Sequence, residues 1–166
     1  EDAGIKALAI HGRTRACRFN GNAEYDTIAA VKSSIGIPVI ANGDIDSVEK
    51  ALWVKRHTGA DALMLGRAVQ GQPWLIQQVV AALATEVVEE PSAAQKIQCM
   101  RQHVEQLHHF YGEQKGLGFV RKHMAFYLEH LQLSDHRSMF NQINDSAQQL
   151  SFIDSLAERY REGKAA

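Results

Sequence analysis

Apolar residues recur along the chain in two rhythms. The first half carries short continuous runs: Ala7-Leu8-Ala9-Ile10, Pro38-Val39-Ile40-Ala41 and Ala62-Leu63-Met64-Leu65. Continuous runs of this length predict parallel strands buried on both faces. Between the first two, Tyr25, Ile28, Val31 and Ile35 fall near helical spacing and predict a helix over 25–34. Between the second and third, a helix over 47–58 is predicted, opened by Asp46-x-x-Glu49 at capping-box spacing and closed by Gly59. Pro73-Trp74 opens a further helix through Val80 and Leu83, since proline suits a first turn. Strands alternating with helices mean βαβ units and a parallel sheet.

The second half changes period. Pro91 and Ser92-x-x-Gln95 open a helix that carries Ile97, Met100, Val104, Leu107 and Tyr111, and Gly112 stops it. A second helix carries Leu117, Val120, Met124, Tyr127 and Leu131. Ser134 or Asp135 would cap a third, with Met139, Phe140 and Ile143 on its core face. Asp145 or Ser146 would cap a fourth, with Leu150, Ile153, Ala157 and Tyr160. That is the pattern of an all-helical bundle. The predicted layout is an α/β part over 1–85, a linker at 86–91 and a helical domain over 92–166.

Composition follows the same division: 8 of the 12 glycines precede residue 86, and 6 of the 8 histidines follow it. Over all 166 residues, 18 Lys and Arg meet 19 Asp and Glu, for a net charge of −1. With 45% hydrophobic and 22% charged residues, the chain is an ordinary globular one, neither disordered nor collagen-like. Near-neutral charge leaves room for a nucleic-acid partner only through a local basic stripe. No apolar run approaches the roughly 18–20 residues of a membrane span, so no membrane association is expected. The opening EDAGIKALAI lacks the basic and apolar regions of a signal peptide. It also lacks Met and reaches a strand-like run by Ala7, so the expected reading is a start inside a domain. Cys17 and Cys99 are far apart with no CxxC, so neither a disulfide framework nor a zinc site is expected. The expected compartment is the cytoplasm, with no obligate protein partner.

Each strand-like run ends in a polar cluster: His11-Gly12-Arg13-Thr14, Asn42-Gly43-Asp44 and Gly66-Arg67. Parallel α/β folds bind ligands beyond the carboxyl ends of their strands. Glycine there lets backbone N–H groups approach an anion, and Arg67 adds a charge-assisted contact. Two such loops in succession fit the phosphate site that TIM barrels often build after their last two strands. Each residue also has a plainer role. Gly43 can be a turn, Asp44 can satisfy loop amides, and Arg13 and Arg15 can be solvated. Spacing does not identify the ligand. Cys17 reads as structural, and Trp53 as a packing residue.

In the helical half, Lys115, Arg121, Lys122 and His123 gather around the second bundle helix, with Gly112, Gly116 and Gly118 beside them. Lys115 and Lys122 are seven apart, so they lie near one helix face. Phe119, Phe126 and Tyr127 interleave as packing or stacking groups. Residues 86–166 carry a net charge of −2, so any RNA contact is local. A solvated helix face is the plainer alternative.

The segments HGRTRACRFNGNAEYDTIAAVK, IPVIANGDI and GADALMLGRAVQGQPW resemble the last three strand–helix units of the bacterial tRNA-dihydrouridine synthases, most closely the B type. FYGEQKGLGFVRKHMAFYL is similar to that family's C-terminal domain. The resemblance runs through essentially the whole chain. It implies a flavoenzyme in which NADPH reduces FMN and the flavin reduces the C5–C6 bond of selected tRNA uridines. By motif match, His11 would sit beside the flavin ring. Asn42, Gly43 and Asp44 would belong to the phosphate–ribityl loop, and Gly66 and Arg67 would complete the phosphate site. Arg121, Lys122 and His123 would face tRNA, with Lys115 nearby.

The resemblance also implies a departure. The family's catalytic cysteine lies in an upstream motif absent from these residues, and neither Cys17 nor Cys99 has its surroundings. No catalytic residue is therefore assigned here. Three strands do not close an eight-stranded barrel of about 250 residues. The expectation is the C-terminal part of an FMN-binding TIM barrel followed by a helical tRNA-binding domain, inactive as a fragment. The alternatives are another FMN-dependent barrel acting on a small molecule, and a helical RNA-binding module without catalysis.

Overall fold

The computed structural model describes residues 1–18, 20–87 and 89–162, with side chains through Ala157. The chain forms two compact units, Glu1–Val69 with Pro73–Glu89, and Gln70–Gln72 with Glu90–Ala166.

The first unit runs β1 (Leu8–His11), α1 (Asp26–Ser34), β2 (Val39–Asn42), α2 (Val48–Thr58), β3 (Ala62–Met64), a 3-10 turn (Arg67–Val69) and α3 (Trp74–Leu83). The strands are parallel in the order β1-β2-β3, with His11 opposite Asn42 and Asn42 opposite Met64. Strand residues alternate between faces. Val39 and Ala41 lie in a core with Ile28, Ala51, Val54, Leu75 and Val79, against which Ile10 and Leu63 also pack. The opposite face carries Ala9, His11, Ile40, Asn42, Ala62 and Met64 in register. Of these, Ala9, His11, Ala62 and Met64 are exposed. This corrects the expectation of strands buried on both faces: the helices of this unit cover one face only.

Helix α2 starts one residue later than its sequence suggests. Ser47, not Asp46, is the cap, and its hydroxyl accepts from Lys50 N at 3.1 Å. Ser47 has the extended backbone of an N-cap (φ −148°, ψ 163°), which leaves Asp46 outside the helix. Gly59 ends the helix as expected, in the left-handed region at φ 64°.

The second unit comprises α4 (Ala93–His130), a 3-10 turn (Ser134–His136), α5 (Arg137–Gln142) and α6 (Ser146–Glu162). The Ser92–Gln95 capping box is formed in both directions at the start of α4. Gly112 (φ 71°, ψ 171°) breaks α4, and the chain doubles back there. His103 meets His123 and Tyr127 edge-on, at centroid distances of 4.9 and 5.9 Å. A Cβ on Gly116 would lie 2.9 Å from His108 Nδ1. Such contacts across the break make α4 an antiparallel hairpin. Met100, Val104, Val120, Met124, Tyr127 and Leu128 are buried along its arms, and α6 packs on it through the buried Ile153 and Leu156.

Three helical expectations need correction. Neither Ser134 nor Asp135 caps α5: its N-cap is His136, which makes no side-chain capping bond. Met139 is 56% exposed while Phe140 is buried, because α5 is only six residues long and turns one large side chain inward. On α6, capped by Asp145 Oδ1 through Gln148 N at 2.8 Å, Gln149 is buried and Leu150 only half-buried. Tyr160 lies outside the described side chains.

Candidate functional site

Five of the predicted residues, His11, Asn42, Gly43, Asp44 and Arg67, converge at the carboxyl end of the sheet. His11 Nδ1 lies 3.3 Å from the Asn42 carbonyl oxygen. Asn42 Nδ2 donates to the Met64 carbonyl at 2.6 Å, which binds the ends of β2 and β3. Gly43 follows at φ 127°, a conformation that L side chains rarely adopt. A Cβ there would come within 2.8 Å of Ala23 Cβ and 2.9 Å of His11 Nδ1. The close approach of the β1 and β2 loops therefore requires a glycine.

Asp44 is the hub of these loops. It accepts both Arg13 guanidinium bonds, Nη1 to Oδ1 at 2.8 Å and Nη2 to Oδ2 at 2.5 Å, and the Ala23 N–H at 2.8 Å. The Arg13 side chain is 4% exposed. It also donates to the Asn20 and Gly21 carbonyls, so it pins the loop after β1. Arg67 Nη2 stands 3.9 Å from Asp44 Oδ1, and its side chain is 64% exposed. The hydrogen bond from Arg13 holds the Asp44 carboxyl below its ordinary range, with the Ala23 amide and the charges of Arg13 and Arg67 adding to it. Beneath them the buried Tyr25 hydroxyl donates to the Gly43 carbonyl at 2.5 Å. Burial, reinforced by Asp44 and Asp46, pushes that phenol up to about 12.

The arrangement suits a phosphate group. Asp44 alone would repel a phosphate, but Arg13 neutralises it and Arg67 brings a second guanidinium to the same loops. A Cβ added to Gly66 would meet nothing within 4 Å, so that position in the loop after β3 is open. Arg13, named in the sequence as part of a polar cluster that could equally be solvated, and Tyr25, assigned there to a helix, are the residues that tie these loops from behind. Arg13 and Asp44 are 31 residues apart, and only the pairing of β1 with β2 brings them together. Cys17 is exposed, with its Sγ 3.0 Å from Thr14 Oγ1. Cys99 is half-buried, and burial raises its thiol above the ordinary value.

In the helical unit the predicted basic residues divide. Lys115 and Lys122 are exposed. His123 is half-buried, and burial together with the Lys122 charge lowers its pKa. Arg121 turns into the bundle, where Nη2 donates to the Ile143 carbonyl at 2.9 Å and to Asn144 Oδ1 at 2.7 Å. Of the interleaved rings, Tyr127 is buried, Phe126 half-buried and Phe119 exposed. Among the described residues no group of His, Cys, Asp or Glu is arranged to hold a metal ion. Nor is any helix long and apolar enough to cross a membrane.

Parallel strands that gather polar groups at their carboxyl ends form the ligand-binding arrangement of α/β enzymes. The chain belongs to the dihydrouridine synthase family, whose model, described as Dihydrouridine synthase (Dus), matches residues 1–161. It is similar to the tRNA-dihydrouridine synthase B of Vibrio cholerae, at 53% identity over 157 residues, 93% of this chain and 48% of that protein. The tRNA-dihydrouridine synthase B of Shewanella oneidensis is 48% identical over 155 residues, again 93% of this chain and 48% of that protein. The Escherichia coli protein of the same name is 49% identical over 162 residues, 96% of this chain and 50% of that protein. The chain thus spans about half the length of the curated relatives it matches.

Proposed function

We propose that the chain forms part of an oxidoreductase that makes dihydrouridine in tRNA, with FMN as its flavin and NADPH as reductant. The observation that carries this reading is the meeting of Asn42, Gly43, Asp44 and Arg67 at one end of a parallel sheet, in a chain that matches the family over both units. In this reading β1–β3 are the last strands of a TIM barrel over 1–85. A linker at 86–91 leads to a tRNA-binding helical domain over 92–166, and the protein works in the cytoplasm.

The residues of the sheet end take separate tasks. The loop after β3, with Gly66 and Arg67, holds the FMN phosphate, and Asn42 and Gly43 border its ribityl chain. Asp44 positions that loop system through Arg13 rather than facing the phosphate directly. His11, at the open face, lies against the flavin ring. When bound, the flavin supplies the hydride chemistry, with the uridine C5–C6 bond as acceptor. The target base must leave its stack to be reached. Lys115, Lys122 and His123 hold the tRNA backbone, which positions the substrate without reading its sequence. Arg121 supports them by fixing the connection between α5 and α6.

The 166 residues alone are expected to give no turnover, since three strands line only part of an eight-stranded ring. A chimera tests the assignment. This chain replaces the matching 162 residues of the Escherichia coli relative. The chimera is expected to retain bound flavin and to form dihydrouridine in unmodified tRNA with NADPH. Arg67→Ala in the chimera is expected to lower its flavin content. A folded chimera that binds no flavin beside an active parent would sink the reading.

A further inference from the structure

The tip of the α4 hairpin holds three rings that reach solvent. Phe110 is 78% exposed, Phe119 42% and Tyr111 38%. Tyr111 and Phe119 stack across the turn with centroids 4.2 Å apart and planes 22° apart, and Phe110 meets Tyr111 edge-on at 4.8 Å. Beside them runs an open groove of about 450 Å³ along the first arm, lined by His103, Leu107, His109 and Tyr111 among others. On the second arm, Lys115 stands four residues before Phe119 and Lys122 three after it, so all three share one helix stripe. Both lysines are exposed. The carboxylate of Glu113 at the tip is engaged, accepting from Ser146 N at 3.2 Å and Ser146 Oγ at 3.0 Å. The stripe therefore sets the Phe119 ring, stacked on Tyr111 at one face, between two cations.

Flat rings interleaved with cations are what single-stranded nucleic acid requires: a π face for a base and positive charge for its phosphates. We propose that Phe110, Tyr111 and Phe119 form a stacking platform for an unpaired RNA base, with Lys115 and Lys122 holding the flanking phosphates. The proposal rests on the reading of this unit as a tRNA-binding one. It adds that the contact is with unpaired nucleotides and is carried by aromatic side chains as well as by lysines.

The test measures binding of the whole chain, across a salt series, to three RNAs: unmodified tRNA, a single-stranded oligonucleotide, and a blunt duplex with no unpaired base. Phe110 is so exposed that its substitution leaves the fold intact. Phe110→Ala and Phe110→Leu are expected to weaken binding of tRNA and single strand roughly tenfold, with the duplex and the salt slope unchanged. Phe110→Trp is expected to restore binding. Lys122→Gln should weaken all three RNAs and flatten the salt dependence. If Lys122→Gln weakens binding while Phe110→Ala does not, the stacking platform is overturned and the tRNA reading stands. Failure of the unsubstituted chain to bind any RNA overturns both. If Phe110→Ala disperses a self-associated form in sedimentation without changing RNA affinity, the face is a contact between copies of the chain and the platform is again overturned.

Discussion

The sheet end of the first unit and the hairpin tip of the second both gather chemistry-bearing residues, but they handle them in opposite ways. At the sheet end the charges answer one another: Arg13 closes on Asp44, Asp44 on the Ala23 amide, and Tyr25 on the Gly43 carbonyl. At the hairpin tip Phe110, Lys115 and Lys122 are exposed, and the contacts described there are ring on ring, with Glu113 tied to Ser146 beside them. A site that holds a small anion must place donors to a fraction of an ångström, so its loops are tied from behind. A surface that tracks a long, sequence-variable polymer gains from side chains that remain adjustable. On the proposed function, the contrast makes the sheet end sensitive to substitution in folding and the hairpin tip sensitive in binding.

The sharpest way to break this contrast is Asp44→Ala. It leaves the Arg13 guanidinium buried without its carboxylate partner, at a cost of about 3–5 kcal/mol. Region-resolved hydrogen exchange is expected to show the loss in the loops after β1 and β2, with α4 protected as before. An equal loss in both units would mean that the sheet-end network does not act locally.

A paired glycine substitution comes next in size. Gly43 and Gly112 both sit at positive φ, but a Cβ on Gly43 collides with Ala23 and His11, whereas one on Gly112 meets nothing within 4 Å. Gly43→Ala is expected to cost roughly 2–4 kcal/mol, from strain and overpacking together. Gly112, at φ 71° and ψ 171°, occupies a region essentially confined to glycine, so Gly112→Ala should cost about 1–3 kcal/mol from strain alone. Urea denaturation of the two variants gives the comparison, and equal costs would remove the argument from loop crowding.

The smallest expected effect is a separation in pH. Burial lowers the pKa of His103 below the usual 6.5, with the neighbouring His123 adding to it, and His123 is lowered likewise by burial and Lys122. The unfolded chain then binds more protons than the folded one. The hairpin therefore loses stability as pH falls from about 6.5 towards the lowered values. His103 Nδ1 lies 3.1 Å from the Tyr127 hydroxyl, so protonation of the ring changes a half-buried contact between the two arms. Asp44 behaves differently. Its pKa is depressed, so its contribution is complete above the ordinary carboxylate range and is lost only as pH falls through the lower folded value. Between pH 7 and 5, amide protection is expected to decline along α4 while the sheet-end loops hold. A decline in the sheet-end loops first would reverse the assignment.

How far the sequence could be read differs between the regions for a physical reason. Strand, helix and breaker signals are local. The three apolar runs, the Ser92–Gln95 box, Gly59 and Gly112 therefore announce themselves within a few residues, and the structure has each at or within a residue or two of its expected place. Asp46 misleads because two adjacent residues both carry capping chemistry, and only the backbone angle at Ser47 decides between them. Tyr111 misleads in another way. Its spacing from Leu107 continues the core stripe, but the reversal at Gly112 leaves the hairpin tip without a covering layer, and the ring stacks on Phe119 in the open.

Continuous apolar runs, helical spacing of apolar residues, glycine positions and capping residues determined by themselves that this chain has a βα part and a helical part, because those preferences act over a turn of helix or a few residues of strand. They also named the strand-end residues, since a parallel sheet sends the end of every strand to the same side. What Asp44 does there was decided only by tertiary structure. Its partner Arg13 lies 31 residues away, and no local preference foretells a charge pair made across two parallel strands. The same holds for Arg121, drawn inward by the Ile143 carbonyl, and for the exposed rings of α4. Which charges and rings remain for a ligand depends on which have already been paired, and that is a property of the folded chain.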